Sequence, residues 1–532
     1  MYLVLLAAGL ASLYILSLVF HRASASTRPL PPGPKPLPLI GNVRDMPEPG
    51  APDWLHWLKH KSIYGPISTV SVLGQRLIIV NDAKIALELL EKRSAIYSGR
   101  PSLPFADLCG MGGTVLMQGY GKRLQTYRKY IHREMGSAVN VARFDRTQET
   151  EVRRFLARLL DAPQNLPGHA RGMAGGFVLK VLYGYNLDYT GVDPLLDYIE
   201  KALERFIPAL VPGTWLVDAF PFLRHIPIWF PGARFRRIAQ GLKHDLASLT
   251  DLPVCFVKRQ LKAGNHEPSY VSNLLGDTTN TVAPGSQEEN DIKWSAVSLY
   301  FGGSDTTVST ITSLFLAMAL NPEVQRCAQE EIDRVVGRDR LPGFADRNKL
   351  PYINAMVKES LRWHPVTPMG LAHSVTEDDT YEGYHIPKGS VIMPNTWAFC
   401  HDPTDYKDPM SFNPERFLGS SPERDPQAFV FGFGRRICPG RILADSSLYL
   451  TVAMSLAAFD ISKPENGVYG DKGDDEPRFL PGITSNPAPF EMRLRLRDER
   501  YRDLVYSVLD EYPWETGDAD IVRGMIDSDA KT

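Results

Sequence analysis

The residues with the strongest chemical signature lie in Phe431–Gly440, written FGFGRRICPG. Cys438 sits there among Gly432, Gly434 and Gly440, just after Arg435 and Arg436. Glycines let a backbone fold tightly around a sulfur. Backbone N–H groups and nearby cations lower a thiol's pKa, and the thiolate is the form that binds a metal. Pro439 and the apolar run after Arg441 suit a helix start, whose positive end favours the same charge. The other four cysteines, Cys109, Cys255, Cys327 and Cys400, are scattered and form no CxxC pair. Neither a zinc site nor a disulfide framework is expected. A lone buried cysteine is most often a packing residue. The spaced glycines and the arginine favour a ligand instead.

A second group, Gly302-Gly303-Ser304-Asp305-Thr306-Thr307, lies inside an apolar stretch. A mid-helix glycine costs about 1 kcal/mol relative to alanine, so something should offset two of them. Asp305 and Thr306 place an acid beside a hydroxyl, a pair suited to delivering protons. The competing interpretation is a helix-packing glycine pair with a threonine bonded back to the preceding turn. Glu359-Ser360-Leu361-Arg362 is an E-x-x-R, whose ends share one helical face. Alone it is no more than a surface pair.

Helices must position these groups. Asp291–Leu320 is expected to be one long apolar helix stopped at Asn321-Pro322. Glu323–Val336 reads as an amphipathic helix ended by Gly337, Tyr352–Trp363 as another ended at His364-Pro365, and Gly121–Met135 as a basic one. Strand signals are few: Ile67–Val72, Arg76–Val80 and Val391–Asn395. The expected class is mainly α (α+β), a helical bundle with small sheets. The charged tail 496–532 lacks periodicity and is expected to be partly disordered.

The cysteine block resembles the haem-binding signature of the cytochrome P-450 superfamily, F-x-x-G-x-R-x-C-x-G, at Phe431, Gly434, Arg436, Cys438 and Gly440. The resemblance runs from the N-terminus to about Arg495. It implies the cytochrome P-450 fold around haem b, with Cys438 as the axial iron ligand. A thiolate there pushes electron density onto the iron and favours O–O cleavage. It implies that Arg436, Arg128 and His373 hold haem propionates. It implies that the long helix opens over the haem, with Thr306 bonding bound oxygen and Asp305 relaying protons. Glu359, Arg362 and Arg416 would form a structural cluster behind the cysteine loop. One departure stands out: the family's W-x-x-x-R becomes Leu124-Gln125-Thr126-Tyr127-Arg128, and leucine cannot donate the tryptophan's hydrogen bond. Either haem is held more weakly or Tyr127 compensates.

Around this core, residues 1–20 carry no charge and as a helix would rise about 30 Å, enough to cross a bilayer. Arg22 and Arg28 follow, which favours a cytoplasmic C-terminal part. The rival is a cleaved signal at Ala23-Ser24-Ala25, but a basic n-region is missing. The expected organisation is an anchor (1–20), a stiff proline-rich linker (21–42), a catalytic domain (43–495) and a charged tail (496–532), single-pass in the endoplasmic reticulum membrane with the catalytic domain cytosolic. There is no N-x-S/T sequon. Net charge is −2 with 23% charged residues, so no global basic excess points to nucleic acid. Phe206–Phe235 is too rich in aromatics and prolines for an open connector, and such patches mark interaction sites; a packed core segment is the alternative. In the family this segment caps the pocket and dips into the membrane, and here it resembles fungal members of secondary metabolism, which implies a lipophilic substrate.

Three functions compete. One is a monooxygenase fed with NADPH electrons by a flavoprotein reductase, which would dock on the basic helix carrying Lys122, Arg123 and Lys129. The second is a haem-thiolate isomerase or dehydratase of peroxides. The third is a non-enzymatic haem-binding protein. Asp305-Thr306 favours the first, since only oxygen activation needs a proton relay.

Overall fold

The computed structural model describes residues 28–189, 191–211, 213–276, 282–464, 477–512 and 517–529. Thirteen described helices of ten or more residues organise them: α1 (Asp53–Tyr64), α2 (Lys122–Met135), α3 (Asp145–Asp161), α4 (Leu166–Tyr183), α5 (Pro194–Leu210), α6 (Arg234–Ala263), α7 (Gln287–Gly303), α8 (Asp305–Leu320), α9 (Pro322–Val335), α10 (Pro351–Trp363), α11 (Arg441–Ala458), α12 (Arg500–Glu511) and α13 (Ala519–Asp529). Strands are short: β1 (Ile67–Val72), β2 (Gln75–Val80), β3 (His373–Ser374), β4 (Val391–Pro394), β5 (Phe459–Ser462) and β6 (Arg493–Leu496) carry most of the pairing. The mainly helical expectation with small sheets holds.

β2 pairs antiparallel with β1 and parallel with β4, and β4 pairs antiparallel with β3. β4 ends one residue earlier than expected because Asn395 becomes a cap, its side chain accepting from the Ala398 N–H. The proline-rich segment lies along β1 rather than hanging free. Thr69 N donates to Pro32 O at 2.9 Å, and Ser71 N donates to Asn42 Oδ1 at 2.9 Å.

Apolar side chains of α3, α8, α10 and α11 form one core, including Phe155, Phe315, Met356 and Leu450. A second core gathers α4, α5, α6 and α7. The apolar stretch expected as one helix is two: α7 ends at Gly303, and α8 begins at Asp305. It also starts earlier than the apolar pattern does, because Ser286 caps α7 by accepting from the Glu289 N–H. Proline at the first position starts α9 and α10.

The connector between α5 and α6 is a surface. Leu216, Phe222 and Trp229 are 73%, 67% and 81% exposed. A few of its residues go inward: Val217 and Ala233 are buried, and Trp215 stacks on Phe105 at 3.8 Å. The packed-core alternative for this segment is therefore set aside.

The tail, which shows little periodicity in the sequence, carries two helices among its described residues. α12 packs on α3 with Tyr501, Val505 and Val508 buried, and Arg153 grips Glu511 at 2.7 and 2.9 Å. α13 lies against α5 and α6, with Val522 buried. Asp518 joins Asn186 through two backbone-directed hydrogen bonds, 2.9 and 3.0 Å. Residues 1–20, the expected anchor, lie outside the described residues. Among the described residues, no helix is long and apolar enough to cross a membrane.

Candidate active site

Cys438 sits at the end of a turn that the sequence forces. Gly434 has φ +49°, and a Cβ there would come within 2.7 Å of Leu90 O and Ser94 Cβ. No other residue fits that position without a shift. Gly440 contributes differently: its φ is −90°, and it caps α11. The Cys438 N–H donates to Phe431 O at 2.7 Å, closing the loop. Burial pushes the Cys438 thiol up, while the Gly440 backbone N–H and the charges of Arg128 and Arg441 pull it down. Burial wins, which corrects the expectation of a lowered pKa. The N–H and the cations act with the expected sign, but coordination to a metal must supply the rest.

Four segments converge beside this loop. An antiparallel bridge joins Gly99 to Ser374, bringing Arg100 next to His373. His373 Nδ1 bonds Tyr97 O at 2.8 Å. Arg100 donates to Leu371 O at 3.0 Å and Ala372 O at 2.5 Å. Arg436 donates through Nε to Ser98 O at 2.8 Å and through Nη2 to Gln118 O at 2.5 Å. Arg128 donates to Ile437 O, next to the cysteine, at 2.9 Å. Every hydrogen bond the three arginines make is to a backbone carbonyl, and among the described residues none has a carboxylate within 4.0 Å.

The electrostatics show the consequence. Burial, then the neighbouring Arg436, pushes Arg100 down to about 9. Burial, then Arg128, pushes Arg436 down to about 10. Burial, then Arg100, pushes His373 down to about 3. Arg100 Nε is buried with no partner. Buried cations without counter-charge are costly unless an anion joins them. The donors left over fit a carboxylate-bearing ligand, and the two propionates of haem supply that charge. The residues present therefore fit the group.

Arg100 is absent from the residues that the sequence singles out. It lies in a loop, Ser98-Gly99-Arg100-Pro101, without periodicity. Its partners are more than 270 residues away, so no local signal marks it. Leu124 is buried at the tryptophan position, and the Tyr127 hydroxyl donates to Gly113 O at 3.0 Å. That hydroxyl is spent on the backbone.

Asp305 and Thr306 stand apart from the cluster, at the interruption between α7 and α8. Ser304 has φ −77° and ψ −73°, so the break falls one residue after the glycine pair. Thr306 Oγ1 donates back to Gly302 O at 2.7 Å, and Thr307 Oγ1 to Gly303 O at 2.7 Å. Both features weighed from the sequence thus coexist: the helix opens, and its threonine is bonded back. The hydroxyl keeps an accepting lone pair.

Behind the loop, Glu359 receives Arg362 at 2.7 and 2.8 Å and Arg416 at 3.3 Å, all fully buried or nearly so. Arg362 also donates to Cys400 O, Pro409 O and Ser411 O. This is the structural cluster expected from the E-x-x-R. On α2, Lys122 and Lys129 are exposed, but Arg123 is tied to Asp291 at 3.0 Å.

A mostly helical fold with a glycine-shaped thiol loop beside an unpaired cationic cradle defines a protein built to hold an anionic metal macrocycle. The family model for cytochrome P-450 matches residues 31–492. A cytochrome P-450 monooxygenase of Aspergillus oryzae is 47% identical over 501 residues, covering 93% of this chain and 94% of that protein. One from Ampulloclitocybe clavipes is 45% identical, covering 95% and 93%. An O-methylsterigmatocystin oxidoreductase of Aspergillus flavus is 42% identical, covering 98% of both chains. The chain belongs to the cytochrome P-450 family and is a monooxygenase, a haem-thiolate oxidoreductase.

Proposed function

We propose that Cys438 would ligate the iron of haem b, that Arg100, Arg128, Arg436 and His373 would hold its propionates, and that Asp305 and Thr306 would deliver protons. The observation that carries this is a set of three carboxylate-free arginines near the cysteine loop, Arg436 buried within it, Arg128 half-buried and bonded to Ile437 O, and Arg100 half-buried beside Arg436. Bound haem supplies the activation of dioxygen, so that one oxygen atom enters a substrate C–H bond and the other leaves as water. The chain's own residues orient and protonate. The arginines clamp the macrocycle's carboxylates, and the Gly440 N–H and Arg128 stabilise charge on the sulfur. Thr306 releases its back-bond to orient oxygen, and Asp305 hands protons inward from the helix break.

The substrate is a lipophilic small molecule of the secondary-metabolite kind, supported by the exposed apolar connector between α5 and α6 and by the named substrate of the Aspergillus flavus relative. Electrons come from NADPH through a flavoprotein reductase docking near the exposed Lys122 and Lys129. Residues 1–20 anchor a cytosolic catalytic domain (43–495, after the linker 21–42) to the endoplasmic reticulum membrane, and 496–532 form the tail. The test is Cys438→Ala. The reduced, CO-bound wild type shows the red-shifted Soret band of thiolate ligation, and the variant loses it. A variant that keeps the band sinks the ligand assignment, and oxygen uptake independent of NADPH sinks the electron route.

A further inference from the structure

The helix break is tied to a carboxylate that the proton chemistry above does not use. Glu200, in the middle of α5, accepts from Tyr300 Oη at 3.2 Å and from Ser304 Oγ at 3.1 Å, both on one carboxylate oxygen. Its other oxygen pairs with Arg171 Nε of α4 at 3.2 Å. Tyr300 and Ser304 are 1% exposed each, Glu200's side chain is 22% exposed and Arg171's 45%. The groups thus form a graded path from solvent at Arg171, through Glu200, to the buried hydroxyl of the residue preceding Asp305.

The packing that makes this contact is written in α4. Gly175 sits where a Cβ would lie 2.6 Å from Leu196 of α5 and 3.4 Å from the Tyr300 hydroxyl. Its missing side chain lets α5 and α7 close on α4, so a glutamate of one reaches a hydroxyl pair of the other. Ser304 has no helical cap role, since its side chain makes no cap hydrogen bond to α8. Its hydroxyl is shared between Glu200 and the neighbouring Tyr300.

We propose that Glu200 is a second carboxylate in the proton path, a positioning residue that takes protons on the Arg171 side and passes them through the Ser304 hydroxyl toward Asp305. In the step, the Glu200 carboxylic acid gives its proton to Ser304 Oγ as Ser304 releases its own toward the Asp305 carboxylate. Glu200, now a carboxylate, is reprotonated from water beside Arg171. Nothing is oxidised or reduced, and each O–H bond broken is matched by one formed.

The charges around Glu200 suit that task. The groups facing it are Arg171 from α4, Tyr300 from α7 and Asp305 from α8. Other charges near α5 are engaged: Asp197 by Lys201, Asp245 of α6 by Arg205, and Arg523 of α13 by Asp520. Burial, as the largest cause, pushes Glu200 up from the ordinary carboxylate range, Arg171 pulls it down, and the charge of Asp305 pushes it up again. A carboxylate held this way carries a proton at a higher pH than a surface glutamate, the more so while Asp305 is ionised, so the acid is loaded before the transfer begins.

This inference rests on the haem-thiolate reading. The experiment uses full-length, haem-loaded protein with a fungal NADPH reductase. Wild type must first show the red-shifted CO band; its absence takes down both proposals. Glu200→Gln is expected to keep that band and to raise peroxide released per NADPH about tenfold, at the modest end for a positioned proton donor. Ser304→Ala is expected to leak equally, and the double variant no more than either, because both cut one path. The peroxide fraction of wild type should rise with pH as Glu200 loses its proton, and that of Glu200→Gln should be flat. Infrared difference spectra supply a readout independent of turnover: a carboxylic-acid C=O band titrating above the ordinary glutamate range, absent in Glu200→Gln. Glu200→Asp, which keeps the acid, should retain a pH-dependent leak with a displaced midpoint. A wild-type peroxide fraction in Glu200→Gln, multiplying effects in the double variant, or a pH-independent leak in Glu200→Asp each overturn the proposal while leaving the haem-thiolate reading intact.

Discussion

Two groups of buried or half-buried arginines, Arg362 with Arg416 and Arg100 with Arg128 and Arg436, are opposites. Arg362 and Arg416 share Glu359, Arg416 also pairs with Glu423 at 2.6 Å, and both arginines donate to backbone carbonyls besides. Arg100, Arg128 and Arg436 have carbonyls only. The first group carries its counter-charge in the chain and is finished on folding. The second carries none, so it is complete only when an anion arrives. A buried charge without a partner is a sign of a ligand; a buried charge with one is a sign of architecture.

The largest effect that could break this contrast is at Glu359. Glu359→Gln strands the fully buried Arg362, leaves Arg416 with Glu423 alone, and is expected to cost about 3–5 kcal/mol. Chemical denaturation of haem-free and haem-loaded protein should show the loss in both. A loss confined to the loaded form would make the cluster part of the binding site.

Arg100→Met should do the reverse. Removing one of three mutually repelling cations is expected to leave the haem-free protein as stable or more stable, by about 1 kcal/mol. Haem transfer to an apoprotein acceptor should speed up by roughly tenfold, as for loss of a charge-assisted hydrogen bond. A destabilised haem-free variant with unchanged haem transfer would place Arg100 with the architectural arginines.

Acid sharpens the same comparison. Burial holds His373 down to about 3, with Arg100 of the unpaired group as the next cause. Burial holds His401 down to about 3, with Arg362 of the paired group next. In each the folded pKa lies below the unfolded value near 6.5, so the unfolded chain binds more protons. The stability that each neutral ring contributes is fully present above the unfolded pKa and is lost as pH falls toward about 3. Haem propionates should raise His373 and leave His401 alone. The slope of stability against pH in that window should therefore be shallower with haem bound, and equal slopes would contradict the propionate assignment for His373.

The smallest effect is expected at Tyr127. Its hydroxyl is bonded to Gly113 O, so Tyr127→Phe should cost about 1 kcal/mol of stability and leave haem transfer unchanged. Faster haem loss would show that this tyrosine replaces the tryptophan absent at Leu124.

Much of the site was legible because its signals are local. Cys438, Gly434 and Arg436 lie within five residues, and their spacing carries the chemistry. The E-x-x-R cluster was legible only through the family resemblance, since alone the pair reads as a surface one and Arg416 is a distant third member. Arg100 and Glu200 were not, since each acquires meaning only from residues of other elements: the Gly99–Ser374 bridge for one, and Tyr300 and Ser304 for the other. The break at Ser304 was legible as a weakness at Gly302-Gly303 but not in its position. The helices of the tail were not legible because its apolar residues are diluted by charges, and one of those charges, Glu511, is the partner of Arg153.

The tail also fixes an order of events. A chain emerges from its N-terminus, and domains begin to fold as they appear. Cys438 is made before Val522, and Val522 is what α13 buries against α5 and α6. During synthesis the two helices flanking the exposed apolar connector therefore wait for their last neighbour until after the cysteine loop exists. α13 acts as a latch set behind a door already hung, and a chain cut short after residue 495 would carry every group of the cradle while α5 and α6 never receive this outer support.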